Sequence, residues 1–195
     1  GYYVGFSGSS IYNGRIFSIG SASQVELVNI YLRYGHQYPN IQQVIGGGAI
    51  SLEGGSTLEM SSCTLSGNTV HYGHGVSYSC DGGAIYESGS SILIMHSCTI
   101  LGNTSDNPYG YAFGGAIRIS GSTATMYGCT FSGNIASSSD YRAYGEAIFL
   151  GYSNSILTMY SCILSGNSAA APATDQSFGG AVFLTAQSHT LSCTG

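Results

Sequence analysis

The chain has 195 residues, of which only 7% are charged, and it contains 30 glycines, 16 tyrosines and no lysine. Its formal charge of −5 arises from nine carboxylates and four arginines, which excludes a basic surface for nucleic acid or for an anionic membrane. No apolar run approaches the ~20 residues that a membrane-spanning helix requires, so no such span is predicted.

The cysteine content favours an extracellular protein. Six cysteines in a chain this poor in charge are typical of an oxidising environment. None of them forms the CxxC pair that is common in metal sites. We therefore expect a protein outside the cell or on its surface, and the sequon at Asn103 is compatible with N-glycosylation.

Two sequence markers recur with one period. The first is GGAI or a close variant, with its alanine at Ala49, Ala84, Ala116, Ala147 and Ala181. The second is a cysteine motif such as CTFSGN, which begins at Cys63, Cys98, Cys129, Cys162 and Cys193. Successive markers of either kind are 31 to 35 residues apart, and this agreement predicts an array of structural repeats.

The repeats divide the chain into consecutive units. Their predicted bounds are 1–45 for one or more degenerate first coils, 46–81, 82–113, 114–144 and 145–178 for four repeats, and 179–195 for an incomplete last coil. In the degenerate unit, Ile30 takes the place of the cysteine and Gly35 that of the asparagine. Isoleucine at this position indicates that an apolar, inward side chain is required there and that sulfur is not.

Each unit predicts three short strands separated by glycine-rich corners. Leu58 and Met60 show the two-residue spacing that places both side chains on one face of a strand. Such units cannot bury a core singly, but coils stacked at ~4.8 Å share one continuous core. The predicted fold is all-β, a single parallel β-helix of about 5–6 coils. The variable stretches become loops on one edge, at 36–45, 69–81, 104–113, 135–144 and 168–178.

The motifs resemble those of a known repeat family. GGAI at 82–85 and 114–117, and FSGN from Phe131 to Asn134, are similar to the GGA[ILV] and FxxN motifs of the polymorphic outer membrane proteins of chlamydiae. Related arrays occur in surface or filament proteins of algae and protists. The resemblance covers roughly residues 46–195, with LSGN, ILGN and GEAI as departures. It implies a right-handed parallel β-helix outside the cell with an adhesive or structural role.

The asparagines and cysteines of the second motif are predicted to form structural ladders. The asparagines are Asn68, Asn103, Asn134 and Asn167, and their amides should bond to the backbone of neighbouring coils. The cysteines should stack as small inward side chains, with disulfides between adjacent coils as the alternative. Cys80 lies outside the column and could pair with an odd member.

Aromatic residues supply the predicted contact surface. Phe113, Tyr144 and Phe178 each precede the first glycine of a repeat and should stack coil on coil. The loops add further tyrosines: Tyr38, Tyr72, Tyr78, Tyr109, Tyr111 and Tyr141. Either this stack covers the loop edge of the β-helix, or it contacts a protein neighbour or glycans.

Metal binding and catalysis are weakly supported. The histidines and cysteine of HYGHGVSYSC, namely His71, His74 and Cys80, match no standard metal-site spacing, and no cofactor is predicted. β-Helices also carry polysaccharide lyases and hydrolases, which need converging carboxylates or a calcium site. Glu53, Glu87 and Arg118 are the nearest candidates, but the acids are thinly spread, so we expect no enzyme.

An ice-binding face is another weak alternative. Thr64, Thr99 and Thr130 should form one outward column with Thr194, interrupted by Ile163.

The sequence therefore predicts a non-enzymatic extracellular β-helix. The last unit stops within its cysteine motif, so we expect end-to-end stacking with another copy or with flanking repeats, which would build a filament or wall. The alternative function is a cell-surface adhesin that binds host cells or glycans.

Overall fold

The computed structural model describes residues 4–7, 14–37, 45–73, 78–152, 154–172, 177–185 and 189–194. Throughout these residues the chain forms short strands and corners, and no helix that could cross a membrane is present among them.

The strands follow one another in the same order in every coil. Strand β1 (Val4–Ser7) precedes β2 (Phe17–Ile19), β3 (Gln24–Val28), β4 (Ile30–Arg33), β5 (His36–Gln37) and β6 (Ile45–Gly46). The next coil has β7 (Ile50–Leu52), β8 (Thr57–Ser61), β9 (Thr64–Ser66), β10 (Thr69–His71) and β11 (Cys80–Asp81). The third has β12 (Ile85–Ser88), β13 (Ile92–His96), β14 (Thr99–Leu101), β15 (Thr104–Asp106) and β16 (Ala112–Phe113).

The remaining coils repeat this order. The fourth contains β17 (Ile117–Ser120), β18 (Thr123–Tyr127), β19 (Thr130–Ser132), β20 (Ile135–Ser137) and β21 (Ala143–Tyr144). It is followed by β22 (Ile148–Gly151), β23 (Ile156–Tyr160), β24 (Ile163–Ser165), β25 (Ser168–Ala170), β26 (Val182–Leu184) and β27 (Thr190–Thr194).

Within the described residues, equivalent strands of successive coils form five parallel sheets. Sheet 1 is β2-β7-β12-β17-β22-β26, sheet 2 is β3-β8-β13-β18-β23-β27 and sheet 3 is β1-β4-β9-β14-β19-β24. Sheet 4 is β5-β10-β15-β20-β25, and sheet 5 is β6-β11-β16-β21. Because every strand pairs with its counterpart one coil away, the predicted parallel β-helix is confirmed.

Each full coil contains five strands, where the sequence predicts three. The cysteine motif forms its own strand because backbone corners of positive φ lie on both sides of it, as at Gly128 (φ 58°) and Gly133 (φ 62°). Glycine suits these corners because it adopts positive φ without a steric penalty. The second corner also starts sheet 4, so the chain beyond the asparagine adds strands that the apolar alternation did not indicate.

The core consists of columns of identical or similar side chains. Leu58, Leu93, Ala124 and Leu157 form one column in sheet 2, and Met60, Met95, Met126 and Met159 form another. The alanines and isoleucines of GGAI form further buried columns. In the degenerate unit, Leu27 pairs with Met60 and Leu32 with Leu65, as predicted from the alternation.

The register of the last strand differs from the prediction. Cys193 pairs with Met159, and Thr194 pairs with Tyr160. Cys193 therefore continues the methionine column of sheet 2, and Thr194 does not join the column of Thr64. The cause is length, since Cys193 follows Ala181 by 12 residues, whereas the other cysteines follow their alanines by 13 to 15. At the other end, β1 pairs with β4 and adds a strand before the first recognised unit.

Candidate functional site

The asparagines form a continuous hydrogen-bonded ladder inside the corner after sheet 3. Asn134 Nδ2 donates to the carbonyl of Ile100 at 3.0 Å and to Asn167 Oδ1 at 2.9 Å. Asn134 Oδ1 accepts hydrogen bonds from the backbone N–H and the Nδ2 of Asn103, at 3.0 and 2.9 Å. At the end of the row, the N–H of Gly35 donates to Asn68 Oδ1 at 2.9 Å. The amides are thus committed to holding the coils together.

The position of Asn103 is incompatible with glycosylation of the folded protein. The residue is fully buried, and its Nδ2, the atom that a glycan would modify, donates to Leu65 O at 3.1 Å as well as to Asn134. A sequon acceptor has to lie on the surface. The ladder function of the asparagine overrides the local sequence signal.

The column cysteines form no disulfide in the structure and pack against one another. Cys63, Cys98 and Cys129 are buried, and all six cysteines of the chain are free. A hydrogen bond donated by the thiol of Cys98 lowers the pKa of Cys63 to about 6 and that of Cys129 to about 7. Hydrogen bonds to both neighbours, followed by burial, raise the pKa of Cys98. Cys80 lies apart, in sheet 5, where burial raises its thiol pKa.

The predicted aromatic stack is present on the outer side of sheet 5 and its extension. The ring centroids of Phe113 and Tyr144 are 5.3 Å apart, and those of Tyr144 and Phe178 are 5.1 Å apart, with nearly parallel planes. Consecutive rings therefore cover each other's faces, as ring quadrupoles allow when the stacking is offset. We call these three residues the first aromatic row.

A second aromatic row, which was not predicted from the sequence, faces the first. Phe149 and Phe183 occupy the outward position after the GGAI isoleucine or valine and stack with centroids 5.8 Å apart. Phe149 lies 4.5 Å from Phe113, and Phe183 lies 5.3 Å from Tyr144. The glycine turn between sheets 5 and 1 brings the two rows together. The sequence signal for the second row is the outward position of Phe149 and Phe183 in the alternation of sheet 1.

The two rows enclose a groove of about 650 Å³. Its lining consists of Tyr111, Phe113, Arg118, Tyr144, Phe149, Gly151, Tyr152, Phe178, Phe183, Leu184 and Thr185. The ring centroids of Tyr141 and Tyr111 are 5.5 Å apart. Tyr141 and Tyr109 are exposed and do not line the groove. Tyr38 lies outside the described residues.

Arg118 is the one charged residue that lines the groove within the described chain. It forms an ion pair with Asp81, which is fully buried beneath it. Its guanidinium also lies 4.6 Å from the ring centroid of Phe113 and 5.5 Å from that of Phe149. Complete burial raises the pKa of Asp81, although Arg118 partly opposes this. The carboxylate compensates the arginine, so the groove wall carries little net charge.

The three residues considered for catalysis do not share a face. Glu87 is fully buried in the core, in register with Leu52 and Ile119. Arg118 pairs with Tyr86 and points out of the opposite side of the same sheet. Glu53 is exposed and accepts a hydrogen bond from Ser51.

The histidine and the cysteine considered as metal ligands have different partners in the structure. His71 Nδ1 lies 2.7 Å from Asp106 Oδ2, on the outer side of sheet 4. The thiol of Cys80 donates to the carbonyl of Asp106 at 3.2 Å instead of pointing at His71, and His74 lies outside the described residues. In the part of the chain that the structure describes, no three histidine, cysteine or acidic residues form a group that could hold a metal ion.

Comparison with known proteins identifies one match. A family model described as a right-handed β-helix region matches residues 2–193. Comparisons with curated proteins and with solved structures give no significant match.

Proposed function

The chain belongs to the right-handed β-helix family, which fits a structural or surface role, and we propose that it is a non-enzymatic surface protein that binds a neutral glycan in its aromatic groove. The observation that carries the proposal is the meeting of two aromatic rows in one open cleft. Rigid coils fix the spacing of these rings, so the cleft is preorganised and little ordering free energy is lost on binding.

The chemistry of the groove suits a sugar chain. Sugar rings have apolar C–H faces that pack on aromatic surfaces, and hydroxyl groups that exchange hydrogen bonds with polar rims. Aromatic walls with a few polar groups are typical of ligand sites, and a volume of about 650 Å³ lies within their usual range. Because Asp81 compensates Arg118, an acidic ligand gains little from the single cation of the lining.

The direction of the groove favours an extended ligand. The first row spans Phe113, Tyr144 and Phe178, one residue from each of three successive coils. The cleft therefore runs along the stacking direction of the β-helix. A linear oligosaccharide can contact several coils at once, whereas a small compact molecule would use only one.

The experiment compares binding of neutral oligosaccharides to a groove variant and to a matched surface variant. Tyr144→Ala removes a ring from the first row, and Tyr160→Ala removes a stacked, exposed ring from sheet 2, outside the groove. Titration calorimetry with neutral hexasaccharides of glucose, mannose, xylose and galactose should show binding that Tyr144→Ala alone weakens. Binding of a proline-rich peptide or of oligogalacturonate in preference to every neutral sugar would refute the proposal.

A second candidate is a filament subunit that associates with further copies of itself. The outer sides of sheets 2 and 3, away from the groove, expose Val28, Ile92, Leu101, Tyr127, Ile156, Tyr160 and Ile163. Charged side chains are few there, so little repulsion opposes contact between copies. Ile156→Lys should reduce any self-association that light scattering detects, and a wild-type monomer at all concentrations would exclude this role.

Two finer inferences accompany these functions. We infer an extracellular or cell-surface location, supported by the sparse charge and by the exposed aromatic cleft. The relation to polymorphic outer membrane protein repeats is supported by the GGAI and FSGN motifs. Detection of the native protein in surface-shaved material from intact cells would test the location.

A further inference from the structure

Tyr152 occupies a backbone position that glycine takes in the three preceding coils. The corner after sheet 1 has positive φ in each of the five coils where it is described, at Ser21, Gly54, Gly89, Gly121 and Tyr152. The φ of Tyr152 is 63°, and that of Gly121, its counterpart one coil earlier, is also 63°. Left-handed backbone is unfavourable for a bulky side chain, whereas glycine adopts it freely. The fold therefore does not require tyrosine at this corner.

The side chain of Tyr152 is also the most exposed part of the groove lining. Two-thirds of the residue (67%) is accessible, compared with 36% for Tyr111. Within each of the two aromatic rows, stacking on the neighbouring ring covers part of the ring faces. Tyr152 is thus the most accessible ring of the groove lining.

Arg118 holds one side of this ring. Its guanidinium carbon lies 5.7 Å from the ring centroid of Tyr152, which is within the range of a cation–π contact. A ring that is two-thirds exposed cannot be covered on both faces, so the contact leaves one face accessible. The ion pair with Asp81 fixes the guanidinium, and through it the orientation of the tyrosine ring.

We propose that Tyr152 is the platform on which one sugar ring of the ligand stacks, and hence a specificity-determining residue of the groove. The inference rests on the glycan-binding function proposed above and assigns its central contact. It requires a ligand with at least one ring whose face carries axial C–H groups. Backbone strain alone does not identify such a platform, because Tyr34 shares the strain at a position remote from the groove.

Tyr34 therefore provides a closely matched control. Its φ is 57°, it is 56% exposed, and Arg33 lies over its ring at 5.8 Å. Its counterpart one coil later is Gly67, which also has positive φ. Replacement of either tyrosine by glycine removes the same kind of strained, arginine-covered, exposed ring, and only Tyr152 lines the groove.

The test measures affinity and thermal stability of Tyr152→Gly, Tyr152→Phe and Tyr34→Gly with the neutral hexasaccharide that binds the wild type most tightly. Tyr152→Gly should weaken binding about tenfold, as expected for loss of one aromatic stacking contact. Tyr152→Phe should bind within about threefold of wild type, because the ring face remains. Tyr34→Gly should leave affinity unchanged. Both glycine variants should keep or raise the unfolding temperature, because glycine relieves the left-handed strain.

The outcomes separate the platform from the proposed function. If the wild type binds a neutral sugar and Tyr152→Gly binds it equally well, the platform is refuted and the groove proposal stands. If Tyr152→Gly unfolds at a markedly lower temperature than Tyr34→Gly, the tyrosine is structural and the platform is again refuted. If the wild type binds none of the neutral sugars, the function and the platform are refuted together.

Discussion

Replacement of Glu87 by leucine should stabilise the protein, and the gain should grow with pH. Glu87 lies in an otherwise apolar column of sheet 1, between Leu52 and Ile119, and is fully buried. Neither of its carboxyl oxygens has a hydrogen-bond partner among the described residues. Burial accordingly raises the pKa of Glu87 well above its ordinary value.

Two contributions determine the size of this effect. A buried carboxyl group without a partner costs ~1–3 kcal/mol even when it is protonated. In addition, folding raises the pKa of Glu87, so the folded state keeps its proton at pH values where the unfolded state loses it. The resulting contribution to the free energy of unfolding is fully present below the unfolded pKa of about 4.3 and is lost as the pH rises towards the folded pKa. Within that window the free energy of unfolding falls by about 1.4 kcal/mol per pH unit. Leucine removes both costs and fits a column that already contains leucine.

Urea unfolding followed by circular dichroism at about pH 4.5, 5.5 and 6.5 measures both contributions. The difference in unfolding free energy between Glu87→Leu and wild type should be ~1–3 kcal/mol at the lowest pH and increase at each step. Glu87→Gln is the control, since it keeps the buried polar atoms and removes the titration. A difference between the leucine variant and wild type that is constant over this pH range would contradict the reasoning, as would destabilisation by leucine.

Three further predictions concern the ladder, sheet 4 and assembly. Asn134→Ala should lower the free energy of unfolding by about 3 kcal/mol or more, because it leaves buried donors of the ladder without an acceptor. The control Ser132→Ala, on the same coil, should change the free energy of unfolding by less than about 0.5 kcal/mol. Equal effects of the two substitutions in urea titrations would argue against the ladder. Burial acts to raise the pKa of Asp106, but hydrogen bonds from His71 and Ser137 outweigh it and lower this pKa. Its stabilising contribution should therefore be present above the unfolded pKa of about 3.9 and lost as the pH falls through the folded pKa, so the advantage of wild type over Asp106→Asn in unfolding temperature should shrink with acid. Association of copies through the apolar outer sides of sheets 2 and 3 predicts laterally joined assemblies in negative-stain images, and uniformly single particles would disprove it.

The fold followed from the sequence because its signals are local and repeated. Gly133 and Asn134 specify one corner of a coil, and the same pair recurs at a nearly fixed period. A departure from the motif in one unit therefore does not obscure the pattern that the other units show. Cys193 shows the limit of this reasoning. It preserves the spacing from Cys162, but its distance from Ala181 is too short, and the strand register therefore places it opposite Met159. Periodicity counts residues along the chain, whereas pairing depends on where each strand begins.

The sequence by itself determined the stacked coils, their inward columns, the asparagine ladder positions and the first aromatic row, because each depends on residues within one repeat and its copies. Only the tertiary structure decided the groove. Phe113 and Phe149 are 36 residues apart, and they meet because a glycine turn folds sheet 5 against sheet 1 in every coil. The charge of Arg118 is compensated by Asp81 of a different coil, which the sequence does not reveal. The exposure of Tyr152 likewise depends on how the coils pack. The chain pattern specifies a scaffold, and the angle between its sheets creates the surface that can bind.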